Sequence, residues 1–159
     1  MKLQITTDYA VRILLYLQEN RRELHTAMAI AEAVGITYPF FIKIATLLKK
    51  HSLVNVVQGR NGGYALGKPA HKISLYDVFR SIEGELRINR CLASGKRCTH
   101  GETTNCGVYS FLWNLQDGLI IQMSEKKLSD LGRSGEDNVE RAATDIDLQR
   151  LQSRFNAIA

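Results

Sequence analysis

The chain has 159 residues, 45% of them hydrophobic, and its 21 Lys/Arg against 16 Asp/Glu give a formal net charge of +5. That length suits one domain, or one domain with an appended arm, and the apolar share supplies a core and argues against intrinsic disorder. No stretch approaches the roughly 18 uninterrupted apolar residues of a membrane span, and Met1–Gln4 lacks the layout of a signal peptide, so the expected setting is the cytoplasm with no membrane partner.

Thr6 or Thr7 is expected to cap a first helix, in which Tyr9, Ile13, Tyr16 and Leu17 recur at helical spacing. Val11, Leu14 and Leu15 widen that apolar face, so the helix reads as packing material. A short second helix is expected over Thr26–Val34, burying Ala27, Ile30, Ala31 and Val34. Gly35 then provides a tight turn, and Thr37 caps a third helix beginning at Tyr38, where Pro39 is tolerated because first-turn amides have no intrahelical acceptor. A short helix, a glycine turn and a longer helix form a helix-turn-helix pattern.

The third helix is expected to bury Phe40 or Phe41, with Ile44, Leu47 and Leu48. Its other faces carry Tyr38, Lys43, Thr46, Lys49 and Lys50. In a reader of double-stranded DNA, the first residues of this set face groove or backbone and the terminal lysines meet phosphate. Leu53–Val57 and Tyr64–Leu66 then read as two strands around a glycine-rich turn, with Arg60 and Asn61 at its tip. A basic hairpin directly after a recognition helix has the form of a wing. Residues 1–66 carry eight Lys/Arg against four Asp/Glu, whereas residues 108–159 carry six against eight. A basic front suits a polyanionic partner.

Ser74 is expected to cap a helix over Leu75–Ile82 that anchors the wing. Residues 84–107 hold all three cysteines, Cys91, Cys98 and Cys106, with six and seven residues in the two gaps. Neither gap matches the close pairs of a zinc knuckle, but a loop can bring such thiolates around one soft-metal centre. Zinc, copper and an iron–sulfur cluster all fit three sulfur ligands, and His100 or Glu102 lies near enough in sequence to complete a site. Reduced cysteines without metal are the alternative, since a structural disulfide framework fits neither an odd count nor the cytoplasm.

Val108–Leu131 reads as a long amphipathic helix whose Val108, Leu112, Leu115 and Leu119 need a partner surface, either the rest of their own domain or, in preference, the same helix of a second copy. Two heads related by a twofold axis would meet a palindromic operator. The tail from Gly132 is polar and acidic, with Leu148, Leu151 and Phe155 suggesting a brief helix. The expected organisation is a DNA-binding domain over 1–83, a cysteine loop over 84–107, a dimerisation helix over 108–131 and a tail over 132–159. The expected class is mainly α: a winged helix-turn-helix with a small β-hairpin wing and a long dimerisation helix. No nucleotide loop or nucleophile–base pair points to an enzyme.

Four segments together carry a family resemblance: LQITTDYAVRILLYL at 3–17, AIAEAVGIT at 29–37, LVNVVQGRNGGYALGKPA at 53–70, and three cysteines before a long helix. In these the chain resembles the bacterial iron–sulfur-cluster regulators represented by IscR and NsrR. The resemblance implies a homodimeric transcription regulator, a repressor, with a cluster held by Cys91, Cys98 and Cys106, 4Fe–4S in preference to 2Fe–2S. It implies a fourth ligand as well. IscR-like proteins use a histidine three residues after the last cysteine, where this chain has Tyr109; NsrR-like proteins use an aspartate matched by Asp8. The wing motif is also nearer NsrR, which implies nitric oxide or redox stress as the signal.

The chain departs from that pattern at several points. Both cysteine gaps are longer than in the relatives, which leaves His100 and Glu102 as alternative ligands. Ile42 replaces a glutamate of IscR-like readers, and Gln58 an arginine of many wings, leaving Arg60 as the contact. The competing functions are a cluster-free thiol-based redox regulator and an iron–sulfur electron-transfer protein.

Overall fold

The structure, a computed structural model, describes residues 4–93 and 106–132. Helix α1 (Ile5–Glu19) begins two residues earlier than a Thr6 cap predicts and three earlier than a Thr7 cap. Gln4 occupies the cap position without a side-chain cap bond, and the acceptor comes from far along the chain. The Glu83 carboxylate accepts from the Gln4 backbone N–H at 3.0 Å and from the Thr7 hydroxyl. Neither Thr6 nor Thr7 caps the helix, because both lie inside its first turn and the Thr7 hydroxyl is spent as a donor to Glu83. Ala10, Ile13, Leu14 and Leu17 form the buried stripe of α1.

Helix α2 (Ala27–Val34) is capped by Thr26, whose hydroxyl accepts from Ala29 N–H at 3.2 Å. It ends where Gly35 takes a left-handed φ of 75°, a conformation that costs glycine little. Helix α3 (Tyr38–Lys50) then leaves at 106°, within the range of helix-turn-helix crossings. Thr37 holds the cap position but makes no side-chain cap bond. Of the two candidate phenylalanines, Phe41 is fully buried. Phe40 packs at the rim, edge-on to Tyr9 with ring centroids 5.7 Å apart.

Strands β1 (Val54–Val57) and β2 (Gly63–Leu66) pair antiparallel, from Val54 opposite Leu66 to Val57 opposite Gly63. The wing is fastened at its root by a third segment. His25 N–H donates to the Tyr64 carbonyl at 3.2 Å and Tyr64 N–H to the His25 carbonyl at 2.8 Å. The Tyr64 ring stands edge-on to Phe41 at 5.0 Å. Burial, and secondarily the neighbouring Tyr38, raises the Tyr64 phenol above its ordinary pKa.

A 3-10 turn at Ala70–Lys72 leads to α4 (Leu75–Glu83), which opens on a capping box. Ser74 Oγ accepts from Asp77 N–H at 3.1 Å, and the Asp77 carboxylate accepts from Ser74 N–H at 2.9 Å.

Helix α5 (Gly107–Glu125) stops six residues short of the predicted Leu131. Beyond it the chain turns back onto the head: Leu75 N–H donates to the Lys126 carbonyl at 2.9 Å and Leu128 N–H to the Ile73 carbonyl at 2.8 Å. These bonds, with Leu128 only 1% exposed in the core, replace the further helical turn that the apolar spacing suggested. Asp130 closes the segment by accepting from Lys127 N–H at 3.0 Å; that backbone bond leads the causes that hold its carboxyl below the ordinary range. The main apolar cluster joins α1, α2, α3, β1, α4 and Leu128. The observed class is therefore mainly α, with an antiparallel hairpin and a long C-terminal helix.

Candidate nucleic-acid interface and cysteine segment

Helix α3 buries Phe41, Ile44, Ala45 and Leu48, so the geometry of its inner face dictates what faces outward. Tyr38 is 47% exposed, and Lys43, Thr46, Lys49 and Lys50 are also exposed. Thr46 donates its hydroxyl proton to the Ile42 carbonyl at 2.7 Å, which leaves its oxygen to face outward as an acceptor. Arg60 and Asn61 are exposed in the wing turn, where Gly62 N–H donates to the Gly59 carbonyl at 3.0 Å and Gly59 adopts a φ of 114°. The ion pairs found among the described residues join Asp8 to Arg12 and Arg87 to Glu85. The outward lysines and Arg60 are thus available to phosphate without first breaking a carboxylate pair.

The two described cysteines both precede α5 in the chain. Cys91 is half-buried in the 3-10 turn Arg90–Leu92, and Cys106 is the N-cap of α5, its Sγ accepting from Tyr109 N–H at 3.4 Å. Both are free thiols. Cys98, His100 and Glu102 lie outside the described residues. Asp8 is exposed on α1 and paired with Arg12 at 2.9 Å, while that guanidinium also lies over the Tyr9 ring. As a test of fit to an iron–sulfur cluster, Cys91 and Cys106 supply suitable soft donors. Among the described residues, however, no group of three His, Cys, Asp or Glu side chains gathers to hold a metal.

The segment before Cys91 is tied to α5 by a residue that the periodicity reading passed over. Gln116, only 8% exposed, accepts from Ile88 N–H at 3.1 Å. Its position four residues after Leu112 put it in register with the inner face, but an apolar-only count skips a glutamine. On the outer side, Val108, Phe111 and Leu115 are 64%, 65% and 53% exposed and lie at three- and four-residue spacing. Leu112 and Leu119 are half-buried, so Val108 and Leu115 are the members of the expected set that stand open, beside Phe111. No single helix among the described residues is long and apolar enough to cross a membrane.

Comparisons with known proteins agree with this architecture. Protein aau3 of Rhizobium meliloti is 38% identical over 96 residues, 60% of this chain and 62% of that protein, so less than two thirds of its length is matched. The global cysteine regulator CymR of B. subtilis superposes with a TM-score of 0.68 at 20% identity, covering 86% of this chain and 99% of that one. An oxidized form of Staphylococcus aureus CymR gives a TM-score of 0.65 at 21% identity, over 86% and 99% of the two chains. At these identities the two structures establish the shared fold alone. Residues 3–134 match the Rrf2 family, described as an iron-dependent transcriptional regulator, and the chain therefore belongs to the Rrf2 family of transcriptional regulators, not to an enzyme family.

Proposed function

We propose that the protein binds double-stranded DNA as a homodimer in the cytoplasm and that the oxidation state of its cysteines sets its affinity. The observation that carries the reading is the outward set on α3 and the wing, Tyr38, Lys43, Thr46, Lys49, Lys50, Arg60 and Asn61, which the buried face of α3 leaves toward solvent. Helix α3 enters the major groove of a palindromic operator, the wing follows the adjacent groove, and the lysines neutralise phosphates. Val108, Phe111 and Leu115, with Leu112 and Leu119 at the margin, form the face that meets the second copy.

Thiol control is supported by Cys106 as the N-cap of α5, by Cys91 in a 3-10 turn packed against that helix, and by an oxidized form among the similar structures. A cysteine thiolate attacks the O–O bond of a hydroperoxide, forming an S–O bond as the alcohol leaves, and sulfur gives up two electrons. A second cysteine then attacks the sulfenic sulfur; an S–S bond forms and water leaves.

A second reading, cluster control, is favoured by the family's iron-dependent description. There Cys91, Cys98 and Cys106 hold an iron–sulfur cluster, 4Fe–4S or 2Fe–2S, with Asp8, His100 or Glu102 as fourth ligand, and the cluster supplies sensitivity to nitric oxide or oxidants in a repressor of the NsrR type.

The test is fluorescence anisotropy with a duplex selected from a random library by the reduced protein. Hydroperoxide treatment of iron-free protein should change the affinity by about tenfold, within the usual range of coupling between sites. Equal affinities in both thiol states, with iron and sulfide present after anaerobic purification, would overturn thiol control in favour of the cluster.

A further inference from the structure

We infer that Gln116 is the positioning residue through which the cysteine segment sets the orientation of α5, an inference that rests on thiol control as proposed above. Of the residues of α5, Gln116 is the one that is buried, and it is polar. An apolar side chain would fill an inner helix position without needing a partner, whereas a buried amide requires one. Gln116 Oε1 finds it in Ile88 N–H at 3.1 Å, a directional bond that sets the segment against one turn of the helix.

From Ile88 to Cys91 the chain is braced on both sides. Asn89 Oδ1 accepts from Arg90 N–H at 2.6 Å and starts the 3-10 turn. Arg87 donates through Nη1 to the Leu92 carbonyl, and Leu92 itself is buried. A displacement at Cys91 therefore reaches Ile88 instead of being absorbed by intervening loop. Disulfide formation holds two Cα atoms about 4.4–6.8 Å apart, so it sets the position of the Cys91 backbone. At the other end, Cys106 Sγ is the hydrogen-bond acceptor that caps α5, and its oxidation alters that cap. The Gln116–Ile88 bond is a polar link between the Cys91 segment and the body of α5, and α5 carries the face proposed to join the two reading heads.

The experiment measures binding of the selected duplex by full-length protein, reduced with dithiothreitol or treated with hydroperoxide. Wild type should differ about tenfold between the two states. Gln116→Leu, which fills the site but accepts no hydrogen bond, should bring the two affinities within about twofold of each other, and Gln116→Glu, which keeps an acceptor oxygen, should restore most of the difference. A Gln116→Leu protein that keeps the full difference would overturn the inference while leaving thiol control standing. Loss of the difference in wild type would overturn thiol control and the inference with it. Amide hydrogen exchange at Ile88 in the wild type provides a readout independent of any variant's folding: exchange should be slow in both thiol states, because a bond that carries the displacement must persist, and fast exchange in either state would count against the relay.

Discussion

Thr7 and Glu83 lie 76 residues apart and are joined by a hydrogen bond, the Thr7 hydroxyl donating to the carboxylate of the last residue of α4. The same carboxylate oxygen accepts from the Gln4 N–H, so one side chain supplies the acceptors that the N-terminus of α1 lacks locally. Glu83→Ala should destabilise the protein by about 1–2 kcal/mol, the usual cost of a lost cap. Glu83→Gln should retain part of that, losing about 0.3–1 kcal/mol of charge–dipole interaction. Urea denaturation of both variants checks the order.

Two glycines should respond oppositely to alanine. A Cβ at Gly67 would stand 2.3 Å from the Ser52 carbonyl oxygen, against backbone that cannot yield, so Gly67→Ala should cost about 1–3 kcal/mol. Gly118 lies inside α5 with nothing within 4 Å of its added Cβ, and Gly118→Ala should stabilise by up to about 1 kcal/mol through helix propensity. Thermal unfolding distinguishes the signs.

The outward cations are separable by salt dependence. Lys49→Ala and Lys50→Ala should each reduce the slope of log affinity against log salt by about 1 and weaken all duplexes alike. Arg60→Ala should do the same if the wing touches phosphate, and relax preference at one base position if it reads a base edge. Anisotropy titrations at several salt concentrations report both quantities.

The open face of α5 predicts a change of assembly without loss of the fold. Leu115 is 53% exposed, so Leu115→Asp spares the protomer core while placing a charge in the proposed interface. Sedimentation velocity should show monomer where the wild type shows dimer, with unchanged circular dichroism.

Alkaline stability should depend on Tyr64. Its folded-state phenol is raised above the ordinary value of 10.0, chiefly by burial. Between those two values the unfolded chain gives up the proton and the folded chain keeps it, so stability falls as pH rises through that window. Tyr64→Phe should flatten this fall while preserving the edge-on contact with Phe41, which stands 5.0 Å away. Denaturation curves from pH 9 to 11 compare the slopes.

Much of the winged helix-turn-helix is written locally. Thr26 followed by helix formers, Gly35 at the turn, Pro39 in a first turn and Ser74 three residues before Asp77 are short-range patterns, and each meets its expected element in the structure. The β-favouring run Leu53–Val57 and the glycines of the turn likewise mark the hairpin. Local hydrogen bonding and side-chain period decide such features, so neighbouring residues carry enough information to read them.

The sequence by itself determined the order of elements, the outward placement of Lys43, Lys49, Lys50 and Arg60, and membership in a winged regulator class. Only the tertiary structure decided that Glu83 serves α1, that α5 ends at Glu125, and that Gln116 grips Ile88. Each of these pairs a group with a partner remote in sequence. A polar group that folding takes out of water must find a partner to offset the lost hydration, and no window along the chain reports which remote group folding brings to it. The extent of the open face on α5 has the same origin: an apolar period marks a face to be covered, while packing against α4 and the Cys91 turn determines which part of it stays free.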